Sequence, residues 1–238
     1  MSLLDDAQLR IDGVPAAGVP DTPGTYDVET RLDARRRGRF TLRLPAARTG
    51  ARRPLCLVLH YGGEPTRFYG RPLLEQLFAP ALDALGACFV APEALGGTWT
   101  DAANENYVMQ LLDGVVATFA LDAARVVVAG YSMGAIGCWH FIEHYPERFS
   151  AALPVAGLPA APLTTLVPVY TFATPGDEIF PLERFADLVA ARRAAGQHIR
   201  FTQVDAHGHY DVQGFAPALR AALPWLLDIW APASRHER

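Results

Sequence analysis

Two stretches of this chain hold residue types at spacings that could do chemistry, and they nearly overlap. Gly130-Tyr131-Ser132-Met133-Gly134 is a G-x-S-x-G pattern, which can present a serine hydroxyl on a tight turn between small residues. Just beyond it, His140-Phe141-Ile142-Glu143-His144 has the H-x-x-E-H spacing. On a helix that spacing sets two imidazoles on one face as zinc ligands, with a glutamate as general base. The first pattern would carry an acyl group through a serine ester, and the second would polarise a carbonyl with a metal.

The serine pattern needs partners, because a hydroxyl is a poor nucleophile unless a base takes its proton and an acid fixes that base. From Ala151 to Gly176 the chain has no Asp or Glu, so the first candidate acids are Asp177 and Glu178 in FATPGDEIFP. They follow the strand-like run VPVYTFA, which would put them at the carboxyl edge of a sheet. Asp177 is the expected acid, with Glu178 the alternative. The base should follow the next strand, and DAHGHYD supplies His207 and His209. Gly208 gives the backbone freedom to swing His209 back over the sheet, so His209 is the expected base and His207 the alternative. Stabilising the tetrahedral oxyanion takes two N–H groups. One is Met133, at the start of the helix after the serine, and the other is Gly62 in LHYGGEP, with Tyr61 as the alternative. His60 reads as a residue that holds this loop. Residues near these loops are candidates for the substrate pocket: Tyr61, Arg67, Phe68, Tyr69, Trp99, Leu158, Phe180 and Tyr210.

The zinc pattern has no third ligand at a placed position. His144-Tyr145-Pro146-Glu147-Arg148 reads as the polar, frayed end of the helix that starts at the serine turn. No metal and no cofactor are expected.

These side chains must be positioned by elements, and from Leu55 onward the elements alternate. LCLVLH, ACFVAP, RVVVAG, AALPVAG, VPVYTFA and IRFTQVD read as strands buried on both faces, and helical runs lie between them. That rhythm predicts a mostly parallel sheet. Tyr26–Leu44 reads as an antiparallel hairpin around a basic turn with arginines at 35, 36, 37 and 39, taken as a solvated turn. Pro224 should kink or divide the last helix. Residues 1–25 are turn-rich and read as a surface leader, and 26–238 as a single domain.

The chain has 238 residues, half of them hydrophobic, and a net charge of −4. It can build its own core, and it offers no basic face for nucleic acid and no polybasic membrane anchor. Cys56, Cys88 and Cys138 all sit in apolar runs and read as buried thiols. MSLLDDAQLR lacks the pattern of a secretory signal, and no apolar run is long enough to span a bilayer, so a cytoplasmic location is expected.

Taken together, LHYGG, GYSMG, PGDEIFP and HGH, in that order, resemble the alpha/beta-hydrolase superfamily, in particular its compact phospholipase/carboxylesterase and dienelactone-hydrolase-like esterases. The resemblance runs from Tyr26 to Trp230 and includes VAPEALGGTW at 90–99. It departs at Ala135, where many members have another glycine, and at Tyr61, which interrupts a more usual His-Gly pair. It implies an alpha/beta-hydrolase fold: a sheet of about eight strands with an N-terminal antiparallel hairpin, helices on both faces and no large cap. Only Gly157–Val167, with two prolines, occupies the place where lids are commonly inserted. The implied activity is a serine hydrolase cleaving small carboxylic esters through a Ser132-His209-Asp177 triad. A thioesterase, lactonase or acyltransferase would use the same triad, and a binding protein could keep the fold without turnover. The expected partner is a small ester; the oligomeric state is not legible.

Overall fold

The computed structural model describes residues 8–11, 14–16, 22–46 and 52–231. The strands among them form one sheet: β1 (Gln8–Ile11), β2 (Val14–Ala16), β3 (Gly24–Arg31), β4 (Arg37–Leu44), β5 (Leu55–Leu59), β6 (Cys88–Pro92), β7 (Val126–Tyr131), β8 (Ala151–Val155), β9 (Val169–Ala173) and β10 (Ile199–Gln203). The spatial order is β10-β9-β8-β7-β5-β6-β4-β3-β1-β2. From β10 to β6 every pairing is parallel, whereas β4, β3, β1 and β2 add antiparallel neighbours. The strands from β3 to β10 are those expected. The segment read as a leader differs in part, because β1 and β2 extend the sheet beyond β3. The rest of that segment, and residues 232–238, lie outside the described residues.

Strands buried on both faces divide their side chains between two cores. In β5, Leu55, Leu57 and Leu59 belong to one cluster while Cys56 and Val58 belong to the other, as the two-residue period of a strand requires. The first cluster is covered by α3 (Ala102–Thr118) and α4 (Met133–His144), through Tyr107, Leu111, Cys138 and Phe141. Val189 of α5 (Leu182–Ala194) joins the same side. The second is covered by α1 (Gly70–Leu73), α2 (Ala79–Leu82), α6 (Ala216–Ala221) and α7 (Leu223–Trp230), with Leu73, Leu82, Leu219 and Trp225 fully or almost fully buried.

Two prolines shape these helices. Pro224, at the start of α7, leaves α6 and α7 as separate helices. The helical run between β5 and β6 is not one continuous α-helix but α1, a π-helical turn Leu74–Phe78, α2 and a 3-10 turn Asp83–Leu85. Pro80 has no N–H to continue the α ladder there.

The chain leaves β5 toward β6 and then crosses to β7 on the other side of β5. In such sheets a crevice opens at the strand ends where the order reverses. The loop after β5 and the turn after β7 meet there, since Leu59 is in register with Gly130.

Candidate active site

Ser132 stands between β7 and α4 at φ 54°, ψ −115°. A non-glycine residue with positive φ is costly and persists only where its surroundings enforce it. Here Ser132 N–H is held by Val155 O at 2.9 Å, and Ser132 O accepts the Ile136 N–H at 3.1 Å. The close approach depends on missing side chains. A Cβ on Gly134 would lie 1.9 Å from Leu59 O, and one on Gly130 would lie 2.3 Å from Gly134 O. Ala135 is accommodated because its methyl faces Gly157, where any Cβ would come within 2.8 Å of it.

His209 comes back from the sheet edge, past β9 and β8, to this turn. Its Nε2 lies 2.8 Å from Ser132 Oγ, and its Nδ1 lies 2.8 Å from Asp177 Oδ2. An ionised carboxylate only accepts, so Nδ1 carries the proton and Nε2 is left to accept from the serine hydroxyl. The Asp177 side chain is fully buried, and its Oδ1 accepts the N–H groups of Ile179 and Phe180 at 2.9 and 2.8 Å. Glu178 is exposed and takes the His209 N–H instead of the ring. The His207 side chain is 98% exposed and pairs with Asp211 at 3.1 Å, away from the serine.

Met133 is the first residue of α4, where N–H groups have no intrahelical acceptor and the helix dipole is positive. Gly62 abuts it, its missing Cβ position being 3.8 Å from Met133 Cβ and Sδ. The loop carrying Gly62 is anchored by His60, which is buried. Its Nδ1–H donates to Tyr61 O at 2.7 Å, its Nε2 accepts the Ala94 N–H at 3.0 Å, and its carbonyl accepts the Trp99 indole N–H at 2.9 Å. Burial pulls its pKa down to about 4, against a smaller upward push from the Tyr61 carbonyl, so it is a neutral scaffold at pH 7.

A cleft of about 750 Å³ opens over Ser132 and His209. Of the expected pocket residues, Tyr61, Phe180 and Tyr210 line it. Arg67, Phe68, Tyr69, Trp99 and Leu158 do not, and each is engaged elsewhere. The Arg67 guanidinium pairs with Glu29, and the Phe68 N–H donates to Glu93. Tyr69 stands behind the wall, edge-on to Tyr61 and His60 with ring centroids 5.5 and 4.8 Å away. Trp99 is fully buried beneath His60, and Leu158 packs with Ala173 and Phe185. The lining also includes residues the sequence reading missed, among them the apolar Ile136, Ile179 and Val212 and the polar Gln76, Asp211 and Gln213, and Tyr131 lines it beside Ser132. Ile136 lies one helical turn after Ser132 and had a readable signal. Gln76 and Gln213 come from a π-turn and a 3-10 turn whose approach no local pattern reports.

The H-x-x-E-H residues are spent on structure. His140 Nε2 bonds Glu105 at 2.7 Å, and His144 Nδ1 donates to His140 O at 2.9 Å. The Glu143 carboxylate accepts from Thr164 and Thr165 and so ties α4 to the 157–167 segment. Among the described residues no group of three or more His, Cys, Asp or Glu could hold a metal ion. All three cysteines are free and buried, and burial pushes the Cys88 thiol up to about 12. The basic turn is solvated as expected, residues 33–37 all being exposed. Asp33 accepts from the Arg35 and Arg36 N–H groups, and Arg39 reaches inward to Glu29 and Glu93.

No family model matches the chain. Over 101 residues it is 28% identical to acetylxylan esterase A of Emericella nidulans, covering 42% of this chain and 33% of that one. Over 74 residues it is 32% identical to poly(3-hydroxyalkanoate) depolymerase C of Paucimonas lemoignei, covering 31% and 18%. The matched segments thus span a third or less of either relative. Among solved structures, a thermostable esterase superposes over 95% of this chain and 64% of its own, with TM-score 0.65 and 21% identity. A fluorophosphonate-binding serine hydrolase of Staphylococcus aureus does so over 87% and 99%, with TM-score 0.66 and 13% identity. Sheet order, serine turn and these structural likenesses together give the chain the alpha/beta-hydrolase fold.

Proposed function

We propose that the protein is a serine esterase acting on small carboxylic esters. Ser132 Oγ attacks the ester carbonyl while His209 Nε2 takes its proton, and the Asp177 carboxylate stabilises the imidazolium that results. The oxyanion is held by the N–H groups of Met133 and Gly62. Collapse of the intermediate breaks the bond to the alcohol, which leaves with the proton from His209. A water then repeats the sequence on the acyl-enzyme and frees the acid and Ser132. The observation that carries this reading is the continuous hydrogen-bonded line Ser132–His209–Asp177, 2.8 Å at each link, at the floor of a cleft. The names of the sequence relatives and structural neighbours, esterases and serine hydrolases among them, favour an ester as substrate. The free thiols favour a reducing compartment, in keeping with a cytoplasmic location. No helix among the described residues is long and apolar enough to cross a membrane.

Fluorophosphonate labelling with p-nitrophenyl ester kinetics tests the proposal. The native protein should be labelled and Ser132→Ala should not, with a kcat lowered at least about 10³-fold and the fold intact. His209→Gln should be as inactive as Ser132→Ala, His207→Ala should keep most of the rate, and EDTA should change nothing. An active Ser132→Ala variant, or loss of activity on chelation, sinks the reading.

A further inference from the structure

His209 belongs to no helix or strand. Residues 204–211 run as irregular chain between β10 and the 3-10 turn Val212–Phe215, so no sheet or helix hydrogen bond fixes its backbone. Both of its main-chain groups are nevertheless taken, and by side chains. Its N–H donates to Glu178 Oε2 at 3.1 Å, and its carbonyl accepts from the Tyr131 hydroxyl at 2.8 Å. The donors and acceptors come in pairs along the sequence. Glu178 directly follows Asp177, which bonds the ring at Nδ1, and Tyr131 directly precedes Ser132, which meets the ring at Nε2. The end of β7 with the serine turn, and the Asp177-Glu178 loop, therefore each grip His209 twice, once by its ring and once by its main chain.

We infer that Tyr131 and Glu178 are positioning residues, a clamp on the main chain of His209 that holds its ring in line between Ser132 Oγ and Asp177 Oδ2. The inference rests on His209 being the general base. Tyr131 is suited to the task because it is 1% exposed and its ring is set edge-on against Phe215, with centroids 5.5 Å apart. Burial also raises its pKa, so the hydroxyl stays a donor. On the other side, the acid loop and the base loop are nearly in backbone contact. A Cβ on Gly176 would come within 2.6 Å of His207 O, and one on Gly208 within 3.2 Å of Glu178 Oε2. Glu178 itself is exposed, so core packing does not demand it. Its carboxyl is held below the usual range, first of all by the bond from the His209 N–H. A base displaced by about 1 Å loses its alignment with the nucleophile, which can cost on the order of 10²-fold in rate.

The test is steady-state hydrolysis of p-nitrophenyl butyrate, well below the melting temperature, by Tyr131→Phe, Glu178→Ala, Glu178→Gln and the double variant Tyr131→Phe/Glu178→Ala. Each disruptive single change should lower kcat roughly tenfold and the double one roughly a hundredfold, with KM within about twofold. Glu178→Gln keeps an acceptor oxygen and should recover most of the rate lost in Glu178→Ala. In a His209→Gln background, Tyr131→Phe should leave the residual rate unchanged, because the clamp acts only through the imidazole. A double variant with native kcat, whatever its melting temperature, overturns the clamp, as does a further loss in the His209→Gln background. Should the double variant not fold, Glu178→Ala at its exposed position decides by the same kcat criterion. Near-native kcat in His209→Gln alone would instead overturn the assignment of the base, and the clamp with it.

Discussion

Replacing Asp177 by Asn changes one oxygen for an NH₂ group, and the surroundings dictate where that group must go. Asp177 Oδ1 accepts two backbone N–H groups, from Ile179 and Phe180, at 2.9 and 2.8 Å. An amide nitrogen cannot face two donors, so the asparagine oxygen must stay there and its NH₂ must turn toward His209 Nδ1. Nδ1 then has to accept, which moves the ring proton to Nε2, the atom 2.8 Å from Ser132 Oγ. An imidazole protonated at Nε2 cannot take the serine proton. The geometry is preserved and the tautomer is wrong, a situation that costs about 10³- to 10⁴-fold in kcat, or about 4–5.5 kcal/mol of transition-state stabilisation. Because the asparagine oxygen still serves both N–H groups, the melting temperature should move by only a few degrees. Hydrolysis of p-nitrophenyl acetate, read beside thermal unfolding, checks both halves. Asp177→Asn with kcat/KM within tenfold of native would refute the reasoning, since it would mean that Nδ1 protonation is not set by Asp177.

Three other perturbations follow from the geometry. Gly134→Ala must push α4 back from the β5 end by roughly 1 Å, given the 1.9 Å approach to Leu59 O; overpacking of about 1–3 kcal/mol should lower the melting temperature by about 2–10 °C, and kcat should fall about 10²-fold as Ser132 moves with the helix. His60 has a folded pKa of about 4, below its unfolded value of about 6.5, so the unfolded chain binds the proton first and stability should decline as pH falls from about 6.5 toward 4; thermal unfolding across that window, compared with His60→Gln, should show a slope in the native protein that the variant lacks, on the order of 3 kcal/mol in total. The 157–167 segment is pinned by Glu143, Arg192 and Gln197 and forms no helix over the cleft, so short-chain esters of about C2–C6 should be preferred, with no rate jump at the solubility limit; efficient cleavage of long-chain triglyceride emulsions would count against an open site.

The sheet and the serine turn were legible because their signals are local. Apolar runs such as VVVA and LCLVL, buried on both faces, mark parallel strands by composition alone. Glycines at 130 and 134 mark a crossing too close for a side chain. Those features also settled where the acid could lie, since a stretch without carboxylates from Ala151 to Gly176 leaves Asp177 and Glu178 as the first candidates. Tertiary structure decided the rest. Which histidine ring meets Ser132, and which of the two neighbouring carboxylates meets that ring, depends on how an irregular loop returns from the sheet edge across two strands. The division between Asp177 on the ring and Glu178 on the main chain is set by backbone N–H groups that no residue pattern displays. The cleft wall is the same kind of case: Trp99 and Arg67 stand beside the right loops in sequence but are consumed by His60 and Glu29, while Gln76 and Gln213 arrive from distant turns. Strands and tight turns are written by periodicity and by steric exclusion between near neighbours. A loop's path and a pocket's lining depend on competition among many distant partners, which only the folded chain resolves.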